Sequence, residues 1–249
     1  DPAFAGPALS AAQAAAAAHL IKAVHAGRFD AALLDGVTGS GKTEAFWLPI
    51  LLKLAIESKD WSSPLGPPRT WWRGASPAFN PLRGTETRQP GMRAMIMYPT
   101  NALVEDQMTR LRRTNTALKA TGKYGDIWFG RYTGATLGTG DSDNSAALND
   151  AVHELRSLEN DYSEIQALDL DSRDKADLLS QFGHVDCGEM LTRWDMAAHV
   201  PDVLITNYVM LNVMLMRSTD DSIFEQTKQW LSASKDNAFT LVIDELHLY

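Results

Sequence analysis

At 249 residues, the chain suits one large α/β domain, or such a domain carrying insertions. A hydrophobic fraction of 45% against 22% charged residues supports an ordinary buried core, and a net charge of -8 excludes a wholly basic surface of the kind that coats nucleic acid by neutralising phosphates. The single cysteine, Cys187, excludes an internal disulfide or cysteine-rich zinc site and suits a reducing cytoplasm, and no apolar run is long enough to span a bilayer.

Residues 11–26 are Ala-rich and stop at Gly27, which predicts a helix. No basic segment precedes the Ala-rich stretch Ala11–Ala18, and His19 and Lys22 follow it closely, which separates it from a signal peptide. Residues 31–35 (AALLD), bounded by Gly36, fit a short buried strand, and Lys42–Glu57 a second helix. Residues 60–92 are rich in Pro, Gly, Arg and Trp and predict a long loop, of the kind that is functional or mobile. A strand is expected at 93–98, a helix at 102–118 and a strand at 126–132. Residues 136–200 are polar and acidic with helical pieces at 149–158 and 173–182. Strand 202–206, helices 208–216 and 222–232, and strand 239–244 follow. The last strand looks buried and the chain stops five residues later, so more protein is expected downstream. Strands alternating with helices imply a mostly parallel sheet with helices on both faces, interrupted by insertions at about 60–92 and 136–190.

Gly36-Val37-Thr38-Gly39-Ser40-Gly41-Lys42-Thr43 matches the phosphate-binding pattern GxxxxGK[ST]. Glycines let backbone N–H groups wrap a polyphosphate, and the helix that follows aims its N-terminus at the same charge. Lys42 would hold the β- and γ-phosphates and Thr43 would ligate Mg²⁺. Such a loop alone fits a kinase, a transporter subunit or a GTPase equally well. Leu241-Val242-Ile243-Asp244-Glu245 narrows the choice, because an apolar strand ending in two carboxylates supplies the other half of a hydrolytic site. Asp244 would hold Mg²⁺, and Glu245 would orient the water that attacks the γ-phosphate.

Asp244-Glu245-Leu246-His247 fits a DExH motif, and with Gly36–Glu44 (GVTGSGKTE) it resembles superfamily 2 helicases. Tyr98–Gln107 (YPTNALVEDQ) looks like motif Ia of that family, Tyr132-Thr133-Gly134 like motif Ib, and LITNYVML at 204–211 like the motif before motif II. The resemblance implies a RecA-like P-loop domain, the first of two. It also implies an adenine-reading glutamine at Gln13, and ATP contacts along Thr38, Gly39, Ser40, Gly41, Lys42, Thr43 and Glu44. His247 would couple ATP state to the second domain. YPTNALVEDQ, DELHLY and the stretch 188–211 look most like a bacterial branch with Mrf-type repair helicases and DISARM phage-defence helicases of the DrmA type. That branch implies DNA as substrate, antiviral defence or DNA repair as role, and a protein partner within a defence complex. LLDGVTGSGKTE also resembles the primosomal helicase PriA, whose usual motif forms the later segments depart from.

Family members grip one nucleic-acid strand along its phosphates, through donors at loop and helix starts. Pro99, Thr100 and Asn101, then Thr133 and Gly134, then Thr206 and Asn207 fall at successive strand C-terminal ends, where open α/β sheets bind ligands; Gln107 belongs to the same motif Ia. Helix capping is the competing explanation for each pair. Arg110, Arg112 and Arg113 are expected on a solvated helix face. Trp71, Trp72 and Arg73 are expected to pack against another domain rather than stack on bases. The acidic insertion is expected to gate DNA entry. Two other functions compete with the helicase: a protein-remodelling ATPase without nucleic acid, and a non-hydrolysing scaffold, which the intact Lys42, Thr43, Asp244 and Glu245 argue against.

Overall fold

A computed structural model describes residues 42–245 and five isolated positions near the start of the chain. Those five (Ala11, Ala14, Ala15, Ala18 and Lys22) are helical, within the expected helix. The rest of that helix, the expected strand at 31–35 and the phosphate loop before Lys42 lie outside the described residues.

The described chain runs α1 (Lys42–Glu57), β1 (Ala94–Tyr98), α2 (Asn101–Ala120), β2 (Phe129–Tyr132), α3 (Ser145–Ala167), α4 (Ser172–Leu179), β3 (Glu189–Met190), α5 (Arg193–Ala198), β4 (Val203–Asn207), α6 (Tyr208–Met216), α7 (Asp221–Ala233) and β5 (Thr240–Ile243). The five strands form one parallel sheet in the order β3-β2-β4-β1-β5. This is the α/β, RecA-like arrangement expected of the motif order.

Period-two alternation along the strands sorts side chains to two cores. Ala94, Ile96 and Tyr98 of β1 and Val203 and Ile205 of β4 join Phe46, Trp47, Ile50 and Leu54 of α1 and Val104, Met108 and Leu111 of α2. Met95 and Leu204 face the other way, onto Met210 and Met214 of α6, Ile223 of α7 and a cluster of tryptophans. With both faces covered, β1 and all but the last residue of β4 are buried, which explains their unbroken apolar sequence. β5 differs: Leu241 and Ile243 are exposed, and among the described residues β5 pairs with β1 alone.

Residues 60–92 carry little regular structure but are built into the core. Trp72 and Leu82 are 1% exposed. Trp71 meets Trp72 and Phe79 edge-on at 5.5 Å and tilts against Trp194 at 6.0 Å. This corrects the expectation for Trp71 and Trp72, which pack inside their own domain. The acidic stretch is no loose decoration either. Ala151, Val152 and Leu155 of α3 join the tryptophan core. Arg73 donates to Glu159 at 2.8 Å, and Arg156 donates to the Trp72 carbonyl at 2.8 Å. The two expected insertions therefore bind each other.

Of the three arginines on α2, Arg110 and Arg113 are about half exposed, as expected of a solvated face. Arg112 is not: it is 5% exposed and forms a fork with the buried Glu189 carboxylate, at 2.7 and 2.9 Å. That pair also explains why β3 escapes sequence reading. It is two residues long, and one of them is a charged residue in a core position whose partner lies 77 residues away.

At the N-terminal ends of the strands lies a buried ionic layer. Asp202 is fully buried, receives Arg88 at 2.7 and 2.8 Å and the Trp128 amide at 2.8 Å, and lies 3.3 Å from Arg93. Arg93 also bonds Glu57, and Arg83 bonds Glu86. Burial alone would raise the Asp202 carboxyl, but Arg88 and Arg93 outweigh it and hold the pKa down to about 2. Asp195 behaves oppositely. Burial pushes it up to about 6, against hydrogen bonds from Thr192, the Leu82 amide and Trp71.

Candidate nucleotide and nucleic-acid site

The strand register sets the geometry of the opposite edge. Tyr132 pairs with Thr206, Tyr98 with Asn207, and Met97 with both Thr206 and Ile243. The turns that follow β2, β4, β1 and β5 therefore leave the sheet side by side. They carry Thr133–Gly134, Asn207, Pro99–Asn101 and Asp244–Glu245. Four of the five expected groups of site residues thus share one end of the sheet, and the fifth, the phosphate loop, precedes the described part of α1.

On the nucleotide side, Lys42 and Thr43 open α1, and Thr43 is half-buried. Glu44 is half exposed and pairs with Arg110 at 2.9 Å, linking α1 to α2. The Asp244 amide donates to the Met97 carbonyl at 3.0 Å, which extends the β1–β5 ladder into the acidic pair. Glu245 has φ of +50°, a left-handed conformation that costs a non-glycine residue energy and turns the chain sharply off the strand. Tyr98, fully buried beside this end, has its hydroxyl pKa raised by burial and by the Asp244 charge. Gln13, Thr38, Gly39, Ser40, Gly41, Leu246 and His247 lie outside the described residues. A hydroxyl at Thr43 and a carboxylate at Asp244 are hard oxygen donors. They suit a small divalent cation that keeps most of its water and leans on substrate phosphates, as Mg²⁺ does. Among the described residues no cluster of three or more His, Cys, Asp or Glu offers an all-protein metal cage.

On the nucleic-acid side, the side chains divide by exposure. Thr100 caps α2, its hydroxyl accepting from the Leu103 amide at 3.4 Å, and is exposed. Asn207 caps α6, accepting from the Met210 amide at 2.8 Å, and its side-chain nitrogen donates to Asn101 at 2.8 Å. Asn101 and Gly134 are exposed, and Pro99 is half-buried. Three expected residues turn inward. Thr206 is fully buried and donates to the Tyr132 carbonyl at 2.7 Å. Thr133 is 1% exposed, its hydroxyl accepting from the Ala135 amide at 3.3 Å. Gln107 is 4% exposed and sits between Trp47, from which it accepts at 3.0 Å, and Asp106. Their hydroxyl and amide groups serve the fold, which leaves the backbone of the turns, the exposed Thr100, Asn101 and Gly134 and the half-buried Asn207 at the surface.

A separate cavity lies elsewhere. An apolar groove of about 380 Å³, lined by Met92, Met95, Leu211, Leu215, Phe224 and Leu241 among others, opens under α6 and α7. It holds no chemistry of the kind the motifs supply. Sequence reading also gave no role to Arg193, which donates to the Thr133 carbonyl in the turn after β2 from 60 residues away in sequence. No helix among the described residues is long and apolar enough to cross a membrane.

Comparison with known proteins agrees with this geometry. A model of the DEAD/DEAH box helicase family matches residues 10–135, just over half of the chain. Druantia protein DruE of Escherichia coli (strain UMEA 4076-1) is 33% identical over 254 residues, an alignment that covers 85% of this chain and 12% of that protein. The chain thus spans about an eighth of the relative's length. No solved structure matches. With five parallel strands among the described residues and that family match in hand, the chain belongs to the DEAD/DEAH box helicases, a family of helicase-type ATPases.

Proposed function

We propose that this domain is the first RecA-like half of a DExH-type superfamily 2 motor that hydrolyses ATP with Mg²⁺ and moves along DNA. One observation carries the reading: the turns after β1, β2, β4 and β5 leave one end of the sheet in register, with the acidic pair at one end of that row and the polar turns along the rest. ATP would bind on the phosphate loop, with Lys42 on the terminal phosphates and Thr43 and Asp244 toward the metal. Glu245 would orient the attacking water. Mg²⁺, when bound, neutralises charge that develops on the phosphoryl oxygens. Thr100, Asn101, Gly134 and Asn207, with the amides of their turns, would hold the phosphates of a single strand, and hydrolysis would reset that grip through a second RecA-like domain. A cytoplasmic place and a role in antiviral defence or DNA repair follow from the resemblance to DISARM and Mrf-type helicases. The likeness to a Druantia protein, of which the matched part is about an eighth, favours a domain within a larger protein.

The test is single-strand-stimulated ATP hydrolysis by the full-length protein. Lys42→Ala should abolish turnover. Glu245→Gln should keep ATP binding, lose hydrolysis and accumulate the ATP-bound form. Near wild-type turnover in Lys42→Ala, or no stimulation of the wild type by any single strand, would overturn the reading.

A further inference from the structure

The segment joining β3 to β4 carries none of the nucleotide or nucleic-acid site residues assigned above, yet two of its residues hold the loop that follows β2. The Arg193 amide donates to the Leu137 carbonyl at 2.9 Å, the Arg193 guanidinium donates to the Thr133 carbonyl at 2.8 Å, and the Trp194 indole donates to the Gly140 carbonyl at 2.9 Å. Gly138, between those anchors, has φ of +78°, and a Cβ there would approach the Trp194 ring to 3.0 Å. The loop from Thr133 to Gly140 is thus clamped at three carbonyls by two adjacent residues.

Arg193 is 7% exposed, and its Nε has no hydrogen-bond partner. Among the described residues it pairs with no carboxylate. The nearby Asp220 carboxylate instead accepts from the Tyr132 hydroxyl at 2.5 Å, and its closest cation is Arg217, at 3.9 Å. The other buried arginines differ: Arg83, Arg88, Arg93 and Arg112 each have a carboxylate partner at 3.1 Å or closer. A buried guanidinium without a counter-charge is costly, and the Tyr132 ring at 5.1 Å offsets only part of that cost. Directly above it runs the turn that carries Gly134, which is exposed and has open space where a side chain would stand. An anion seated on that turn would meet a backbone amide and a fixed positive charge together. A phosphodiester matches, since it accepts from both and presents one negative charge per residue of strand.

We propose that Arg193 supplies the charge of a nucleic-acid phosphate site at the Thr133–Gly134 turn, with Arg193 and Trp194 together holding that turn in shape. This rests on the nucleic-acid reading given above and adds to it a residue not assigned there. The experiment uses the full-length protein and a single-stranded oligonucleotide, and reads the strand concentration for half-maximal ATPase stimulation across a salt series. Arg193→Gln should raise that concentration ~10-fold and lower the slope of log affinity against log salt by ~0.7, the share of one single-strand phosphate contact. Arg193→Lys keeps the charge and should keep the slope. The KM for ATP without nucleic acid should be unchanged in both. Weaker binding with an unchanged slope in Arg193→Gln would mean that the residue only shapes the loop, and would overturn the proposal, as would unchanged affinity. If Arg193→Gln does not fold, Gly134→Glu serves, because its side chain enters open space. It should weaken strand binding ~10-fold more than Gly134→Gln; equal behaviour of the two overturns the proposal. A wild type with no stimulation at all would instead sink the nucleic-acid reading.

Discussion

The two ends of the sheet are built from similar polar residues and use them in opposite ways. At the N-terminal ends of the strands, Arg83, Arg88, Arg93, Glu57, Glu86 and Asp202 are buried or half-buried and all paired. At the C-terminal ends, Asn101 and Gly134 are exposed, and Arg193 is buried without a carboxylate. A satisfied buried network stabilises and specifies one packing. An unsatisfied charge at a surface turn leaves capacity for a ligand. The contrast sets an end whose charges are all paired apart from one that keeps an unpaired charge, without reference to any motif.

The contrast predicts large stability effects at one end and small ones at the other. Asp202→Ala removes the fully buried carboxylate that serves Arg88, Arg93 and the Trp128 amide, leaving Arg88 only Glu86 and Arg93 only Glu57, and should cost about 3–5 kcal/mol in denaturant unfolding. Loss of less than about 1 kcal/mol would mean that water reaches the layer. The same residue sets an acid limit. Its folded pKa lies near 2, below its ordinary value of 3.8, so its contribution is present above pH 4 and is lost as pH falls toward 2. Asp195 has the opposite sign. Its folded pKa, near 6, is raised, so it favours the folded state below about pH 4 and loses that contribution as pH rises through 6. Asp195→Asn should therefore flatten the stability profile between pH 4 and 6 and leave the limb below pH 4 intact.

At the C-terminal end, where binding is proposed, Asn207→Ala removes the cap of α6 and the link to Asn101 and should cost only about 1 kcal/mol in stability. Its effect on single-strand affinity should be larger, about 10-fold, if the turn contacts phosphate. A stability loss with unchanged affinity would leave Asn207 as a cap alone. The smallest expected effect concerns the acidic face. Deleting residues 141–180 would remove Ala151, Val152 and Leu155 from the tryptophan core, so deletion confounds gating with unfolding. Replacing the exposed Asp150, Glu154 and Asp161 by Asn, Gln and Asn leaves that core untouched. Gating requires these variants to raise DNA affinity about twofold at low salt, with stability within about 0.5 kcal/mol of the parent. Unchanged affinity would make the acidic face a solvated one.

How much of this was legible depended on the range of the signal. Lys42–Glu57 and Tyr208–Met216 are found within the bounds that periodicity gave them, since a helix is encoded in neighbouring residues. α3 runs well beyond the expected 149–158, because Asn144 caps it early and its polar turns carry little apolar periodicity. The long stretch at 60–92 looked like a loop because its burial depends on Trp194, Glu159 and Asp195, all more than 80 residues away. For the site, a pattern search placed the acidic pair and the polar turns on strand ends, but it had no means to tell an outward hydroxyl from an inward one.

The sequence by itself determined the alternation of strands and helices, the parallel sheet and the motif order, because each is written in contiguous residues. Only the tertiary structure decided which polar groups remain available. Thr206, Thr133 and Gln107 spend their hydrogen bonds inside. Arg112 finds a buried carboxylate, and Arg193 does not. Hydrogen bonding and charge pairing are satisfied between residues far apart in the chain, so whether a polar side chain serves the fold or a ligand is settled only when its neighbours are in place.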